Sequence, residues 1–306
     1  PDVAEQLLAD GFANMVSMAR PFLADPLFVQ KAAAGKAHEI NTCIGCNQAC
    51  LDHTFAGKVT SCLVNPRACH ETELNYLPTT APQRIAVVGA GPAGLSFATV
   101  AAQRGHHVTL FEADSQIGGQ FNLAKRIPGK EEFVETLRYF GEQLRITGVA
   151  VKLNTRVTAG QLVAEQFDTI IVAAGITPRQ LNIPGIDHAK VLQYREVIRG
   201  EKAVGASVAI IGAGGIGFDT AEYLSHTLST LDAVDTFQTE WGITREASAP
   251  GGVGQPQWHA PARHIYLLQR KTSKVGDGLG KTTGWIHRAA LKMKNVEMLS
   301  GVNYER

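Results

Sequence analysis

The chain has 306 residues, enough for two or three domains with buried cores. Lys and Arg number 29 against 28 Asp and Glu, and neither sign forms a long run, which argues against nucleic acid or an anionic membrane surface as the partner and for small ligands. No apolar stretch reaches the roughly 18 residues that span a bilayer, so a membrane protein is not expected. The N-terminus shows no secretion signal and opens inside an amphipathic pattern, Val3, Leu7 and Leu8, as a piece of something longer would. Four of the five cysteines crowd into residues 43–62, a clustering that favours metal ligation over a disulfide framework and implies a reducing, cytoplasmic setting.

In chain order, residues 1–38 read as a helix, a short apolar strand at 15–18, an Arg20-Pro21 step and a second helix from Asp25. Residues 39–83 lack sustained periodicity and are rich in Cys, Asn, Thr and Pro, as expected where a metal holds the loops in place of a core. From residue 84 strands and helices alternate. Strands are expected at 85–88, 108–111 and 169–173, with helices at 93–104 and 131–146. A second unit should begin with a strand at 208–211, a helix at 216–224 and a strand at 265–268. Such alternation predicts an α/β fold with a parallel sheet covered by helices. Residues 226–262 are Thr-, Pro- and Gly-rich and longer than an ordinary connection, so they form either an ordered functional insertion or a mobile link.

Cys43, Cys46, Cys50 and Cys62 follow the spacing C-x2-C-x3-C-x11-C. Three thiolates on one tight loop and a fourth on a returning segment suit an iron-sulfur cluster, and Gly45 lets the backbone turn between the first two. Zinc is the rival metal, but structural zinc sites more often pair their ligands as separate C-x2-C knuckles. Cys69, the fifth, is expected to be an inert buried thiol.

Gly89, Gly91 and Gly94 form a G-x-G-x-x-G turn between an expected strand and helix, the arrangement that cradles a dinucleotide pyrophosphate on backbone amides at a helix start. Glu112 lies at the end of the next strand, where a carboxylate takes ribose hydroxyls. The stretches holding Gly119 and Gln120, and Gly175, place small residues where a flavin would run along the sheet edge; the alternative for each is an ordinary turn. Gly212, Gly214 and Gly217 repeat the glycine pattern in the second unit. There the following strand runs into Arg270 and Lys271 with no carboxylate at the ribose position, which suits a 2′-phosphate and so NADPH over NADH; the alternative is a solvated basic surface.

Four stretches, TCIGCNQAC at 42–50, VNPRACH at 64–70, QRK at 269–271 and GLGKTTGWIHR at 278–288, resemble the bacterial NADPH-dependent 2,4-dienoyl-CoA reductases along nearly the whole chain. These belong to the Old Yellow Enzyme-related group that includes trimethylamine dehydrogenase. The resemblance implies the end of an FMN-binding (β/α)8 barrel at 1–38, a [4Fe-4S] segment at 39–83, and two tandem Rossmann-like domains, FAD-binding at 84–200 and NADPH-binding at 201–306. Electrons would pass from NADPH to FAD, through the cluster to FMN, and to an acyl-CoA thioester in unsaturated fatty-acid β-oxidation. Cys43, Cys46, Cys50 and Cys62 match the cluster ligands. Gly89, Gly91, Gly94 and Glu112 match the FAD motif, and Gly212, Gly214, Gly217, Arg270 and Lys271 match the NADPH half. Arg20 matches an arginine that contacts the FMN phosphate. The tyrosine and histidine that protonate substrate belong to the barrel upstream of Pro1, so no histidine here inherits that role, and the returning segment that completes the FAD domain lies beyond Arg306. The related alternatives are an enoate reductase or amine dehydrogenase with the same carriers, and an electron-transfer module without substrate chemistry of its own.

Overall fold

The computed structural model describes residues 1–226, 234–244 and 249–305. Its contacts divide the chain into two compact units, Pro1–Lys125 with Glu132–Pro178, and Arg126–Glu131 with Arg179–Arg306. The stretch 179–200, expected with the first nucleotide domain, packs within the second unit. Val197 is buried in that unit's core, and Arg126 Nη1 donates to Ile198 O at 2.9 Å.

In the first unit, residues 1–38 form three short helices, α1 (Asp2–Ala9), α2 (Arg20–Ala24) and α3 (Phe28–Ala33). The strand expected at 15–18 is not formed. A strand persists where a neighbour takes its backbone hydrogen bonds, and among the described residues none pairs with this segment, which leaves Met15 80% exposed. No barrel strand is therefore seen in 1–38. The second expected helix starts at Phe28, after Asp25 has turned inward. The buried Asp25 carboxylate accepts from Leu27 N (3.0 Å), Asn41 N (2.8 Å) and Lys31 Nζ (2.6 Å), the partners a buried charge requires. Residues 39–83 are largely irregular, with one short helix, α4 (Leu51–Phe55).

The alternating region begins with β1 (Arg84–Val88), α5 (Pro92–Gln103), β2 (His107–Phe111), α6 (Phe121–Ala124) and α7 (Phe133–Thr147). It continues with β3 (Ala150–Lys152), α8 (Ala159–Ala164) and β4 (Thr169–Val172). The four strands make a parallel sheet in the order β3-β2-β1-β4. β1 is central and therefore apolar throughout its middle, with Ala86 and Val87 wholly buried. α5 lays Leu95, Ala98 and Ala101 into the same core, each large aliphatic contributing about 1.5–3 kcal/mol by burial. α7 stops at Gly148, whose left-handed backbone (φ 70°) closes the last turn. α8 opens on a capping box in which Thr158 and Gln161 satisfy each other's amides. α7 begins at Phe133 rather than 131, and β3 and α8, three and six residues long, fall below the length at which periodicity is readable.

The second unit contains α9 (Tyr194–Arg199), β5 (Ser207–Ile211), α10 (Gly215–Ser225), α11 (Val234–Trp241), β6 (His264–Gln269), α12 (Gly284–Met293) and β7 (Glu297–Ser300). Its strands form a parallel sheet in the order β5-β6-β7. Of the 226–262 insertion, 227–233 and 245–248 lie outside the described residues. The described part packs on the end of α12. Glu240, on α11, meets His259 Nδ1 at 3.1 Å and Lys294 Nζ at 3.6 Å, and Trp241 meets Trp258 edge to face at 4.9 Å. Among the described residues no helix is long and apolar enough to cross a membrane.

Candidate functional site

The cysteine segment is shaped by two left-handed residues, Gly45 (φ 63°) and Asn47 (φ 59°), which fold the backbone sharply on either side of Cys46. Cys43, Cys46, Cys50 and Cys62 line one pocket, shared with Arg20, Asn47 and the apolar side chains of Leu23, Ile44 and Leu63. All four are half-buried thiols, and no disulfide joins them. Burial pushes the Cys46 and Cys62 thiols up, and the neighbouring cysteines add to the rise. Backbone amides work the other way, Gln48 on Cys46 and Val64 and Asn65 on Cys62, as donors aimed at thiolates do.

Zinc and a cluster ask different spacings of their sulfurs. Tetrahedral zinc, with Zn–S bonds near 2.3 Å, draws its four sulfurs to about 3.8 Å from one another. Among the described residues the one group of three or more potential ligand atoms all within 4.8 Å of one another is His38, Glu39 and Glu142, so no three thiols are that close. Four thiols line one pocket, and no three of them form the compact group that a single zinc ion gathers. The His38 group is a charge cluster already met by cations. Lys36 lies 3.1 Å from Glu39, and Arg145 lies 2.5 Å from Glu142, whose carboxyl it holds low. Cys69 corrects the sequence expectation: it is exposed, in a left-handed turn (φ 62°), and its neighbour Ala68, 1% exposed, takes the buried place instead. Arg20, at the head of α2, donates from Nη1 to Asn47 Oδ1 at 2.7 Å.

The first glycine loop leaves β1 and enters α5, with Gly91 as N-cap and Pro92 at the first helical position. Gly89 has φ 104°, and a Cβ there would lie 2.4 Å from Ala173 O; a Cβ on Gly94 would lie 1.9 Å from Gly89 O. Nothing lies within 4 Å of a Cβ at Gly91, which leaves open approach to its backbone. Glu112 follows β2, and its carboxylate accepts from Ala90 N (2.7 Å) and Asp114 N (2.9 Å). These bonds fix it against the glycine loop, and each carboxylate oxygen retains a second lone pair for a ribose hydroxyl. Gly119 packs on Gly91, where a Cβ would stand 3.1 Å from Gly91 Cα, and Gln120 caps α6. Gly175 (φ 76°) lies two residues past Ala173, the residue that presses on Gly89 and Gly94. The structure thus gathers Gly89, Gly91, Gly94, Glu112 and Gly119 at the carboxyl end of the sheet, the end at which open α/β sheets bind ligands.

The second loop leaves β5 and enters α10 with Gly214 as N-cap. A Cβ on Gly217 would lie 1.9 Å from Gly212 O, and Gly212 has φ 108°. β5 and β6 pair Ile211 with Leu268, as β1 and β2 pair Val88 with Phe111. The residue standing where Glu112 stands is therefore Gln269. Its Nε2 donates to Lys271 O (3.1 Å) and Ser273 O (2.9 Å), shaping a turn that presents Arg270 and Lys271 to solvent. A shallow concavity lined by Ala206, Arg263, His264 and Glu297 lies at the opposite, amino end of this sheet and takes no part in the nucleotide cradle.

Sequence reasoning missed Arg138, on α7, which donates to three residues of the chain leading into the cysteine loop, His38, Ile40 and Thr42. In sequence it pairs with Glu135 at i+3 and reads as an ordinary surface pair.

Three comparisons bear on these sites. The family model described as pyridine nucleotide-disulphide oxidoreductase matches residues 83–306. A metal reductase of Desulforamulus reducens is 41% identical over 236 residues, covering 76% of this chain and 35% of that protein. A cinnamate reductase of Clostridium sporogenes is 31% identical over 229 residues, covering 73% of this chain and 33% of that protein. The solved structure of a 2-naphthoyl-CoA reductase complex superposes with a TM-score of 0.85 at 30% identity, over 100% of this chain and 41% of that one. The chain spans about a third of the length of the curated relatives it matches. By family model and fold together, the chain belongs to the pyridine nucleotide-disulphide oxidoreductase family, whose fold binds FAD and NAD(P)H.

Proposed function

We propose that this chain is the electron-relaying part of an NADPH-dependent flavin and iron-sulfur reductase that acts on 2,4-dienoyl-CoA thioesters. The observation that carries the proposal is that four thiols line one pocket within the compact unit that also holds the Glu112-flanked glycine loop. The bound cofactors would supply the redox chemistry: hydride from NADPH to FAD, single electrons through a [4Fe-4S] cluster to FMN, and hydride to the thioester.

Each group of residues then has a defined task. Cys43, Cys46, Cys50 and Cys62 hold the cluster, and the amides of Gln48, Val64 and Asn65 stabilise the thiolate charge. Gly89, Gly91 and Gly94 receive the FAD pyrophosphate at the start of α5, Glu112 takes the ribose, and Gly119, Gln120 and Gly175 leave room for the flavin. Gly212, Gly214 and Gly217 do the same for NADPH, with Arg270 and Lys271 on its 2′-phosphate. Arg20 has five N–H donors, and its bond to Asn47 uses one, so contact with the FMN phosphate is compatible with its place at the thiol pocket. The exposed apolar side chains of 1–38, among them Val3 (77%), Phe12 (79%) and Met15 (80%), are assigned to packing against the rest of the FMN barrel, of which 1–38 would be the end. The structural likeness to a naphthoyl-CoA reductase supports a conjugated CoA thioester as substrate class.

The test is an anaerobic NADPH titration of the full-length gene product followed by flavin bleaching, with 2,4-hexadienoyl-CoA as oxidant. NADPH should bleach the flavin and the thioester should restore it. No bleaching overturns the reductase reading, while bleaching without reoxidation by the thioester moves the assignment to an enoate reductase, an amine dehydrogenase or a relay to a partner protein.

A further inference from the structure

α7 lies between β2 and β3 of the flavin-type sheet, yet its surface holds the segment that leads into the cysteine loop. The Arg138 guanidinium donates from Nη2 to Ile40 O (2.6 Å) and Thr42 Oγ1 (3.2 Å), from Nη1 to His38 O, and from Nε to Glu135 Oε2 (2.6 Å). Thr42 Oγ1 also donates to Glu135 Oε2 at 3.3 Å, closing the ring. Thr42 is the residue before Cys43, the first thiol. Three residues before Glu135, Glu132 faces the same loop, its Oε2 lying 3.6 Å from where a Cβ on Gly45 would stand. A planar guanidinium can hold two carbonyls and a hydroxyl at once while a carboxylate meets its charge; an ammonium on a flexible stem cannot keep that fork.

We propose that Arg138 is a positioning residue for electron transfer: it fixes the cysteine loop to the flavin fold, so that the gap between reduced FAD and the cluster is constant. The proposal rests on the cofactor assignments made under Proposed function. The step concerned would move one electron from the reduced flavin, which is oxidised, to the cluster, which is reduced by it. Arg138 acts on this step only through His38, Ile40 and Thr42. Its fixed positive charge near the first ligand also favours the reduced cluster, which carries one more negative charge. Arg145, on the same helix, is bound to Glu142 (2.5 Å) and serves as a control that removes equal charge without breaking the clamp.

The experiment uses the full-length protein with Arg138→Gln, Arg138→Lys and Arg145→Gln. Each is mixed anaerobically with NADPH, flavin bleaching is followed by stopped flow, and cluster reduction by freeze-quench EPR. Arg138→Gln should keep its iron and sulfide and bleach its flavin normally, yet reduce the cluster about tenfold to a hundredfold more slowly, as misplacement of a reacting group does. Its cluster potential should also shift to more negative values. Arg138→Lys should restore the potential but recover the rate only in part, and Arg145→Gln should match the wild type. If Arg138→Gln fails to hold iron, Arg138→Lys decides: iron at the wild-type level with slowed cluster reduction supports the clamp, and a wild-type rate overturns it. Wild-type rates and potential in Arg138→Gln likewise overturn the proposal. Absence of a cluster signal in the wild type overturns the cofactor assignment instead.

Discussion

At the first glycine loop the Gly89 amide donates to Phe111 O at 2.8 Å, and at the second the Gly212 amide donates to Leu268 O at 3.0 Å. Both third glycines press to within 1.9 Å, measured at a built Cβ, on the carbonyl of the first. The loops part at two points. Beside Gly89 stands β4, so that a Cβ there would lie 2.4 Å from Ala173 O, whereas nothing lies within 4 Å of a Cβ on Gly212 and, among the described residues, no strand pairs with that edge of β5. After β2 comes a carboxylate tied to the loop amide; in the matching place of β6 comes Gln269, with Arg270 and Lys271 behind it. The two loops thus share the backbone turn and differ at the end of the neighbouring strand, where the proposed function places the choice of nucleotide.

The most severe way to break the comparison is at the feature both loops share. Gly94→Val and Gly217→Val each force a side chain into backbone that has no flexible atom to yield, at about 3 kcal/mol or more. The first should strip flavin absorbance from the purified protein. The second should leave the flavin in place and abolish its bleaching by NADPH, and loss of flavin in both would show that the loops do not serve different nucleotides.

A smaller effect separates the loops. Gly89→Ala suffers left-handed backbone strain of about 1–2 kcal/mol and overpacking of about 1–3 kcal/mol against Ala173. Gly212→Ala, with open space at its Cβ, suffers the strain alone. Denaturant unfolding should rank Gly89→Ala as the more destabilised, and equal losses would contradict the packing difference.

At the specificity end, Arg270→Ala with Lys271→Ala should weaken NADPH about tenfold to a hundredfold, the worth of one or two charge-assisted contacts, while NADH changes little. Adding Gln269→Glu should tip the preference toward NADH. Isothermal titration with both coenzymes reads the outcome, and equal losses would remove the 2′-phosphate assignment.

The smallest expected effect concerns the helices behind the loops. Both helices bury an apolar face, but α10 also carries Asp219, held by Lys130 Nζ at 2.6 and 2.7 Å, and Glu222, which meets His226 at 2.9 Å. Near them His287 is held below its usual value, first by burial and then by Lys130, against the pull of Asp219 and Glu222. The unfolded chain takes up a proton near pH 6.5, before the folded one does. Stability from this site is therefore complete above that pH and is lost as pH falls toward the depressed folded value. His287→Gln should flatten the acid side of the stability profile between pH 7 and 5, and an unchanged slope would contradict the shift.

The strand-glycine-helix units were legible because β1 and β5 are apolar runs ending in an invariant geometric need, a positive φ at Gly89 and Gly212. The cysteine spacing made legible a tight loop that brings four thiols to one pocket, with Gly45 at positive φ. The strand expected at 15–18 misled because an apolar run becomes a strand only with a neighbour to pair with. Cys69 misled because a left-handed turn, not residue type, decides which of two neighbours faces inward, and Ala68 takes that place. β3 and α8 were too short for periodicity, and Arg138 was hidden because its partners, His38, Ile40 and Thr42, lie about a hundred residues away along the chain. The missing carboxylate after the strand at 265–268 was legible, and strand register then placed Gln269 opposite Glu112.

The most direct test of the whole account is metal and sulfide analysis of the anaerobically purified full-length protein, with EPR after addition of NADPH. Four irons and four sulfides per chain, and a reduced-cluster signal that appears with NADPH and disappears in Cys46→Ser, are the expected result. Zinc at the four thiols, or an iron centre that NADPH leaves oxidised, would contradict it.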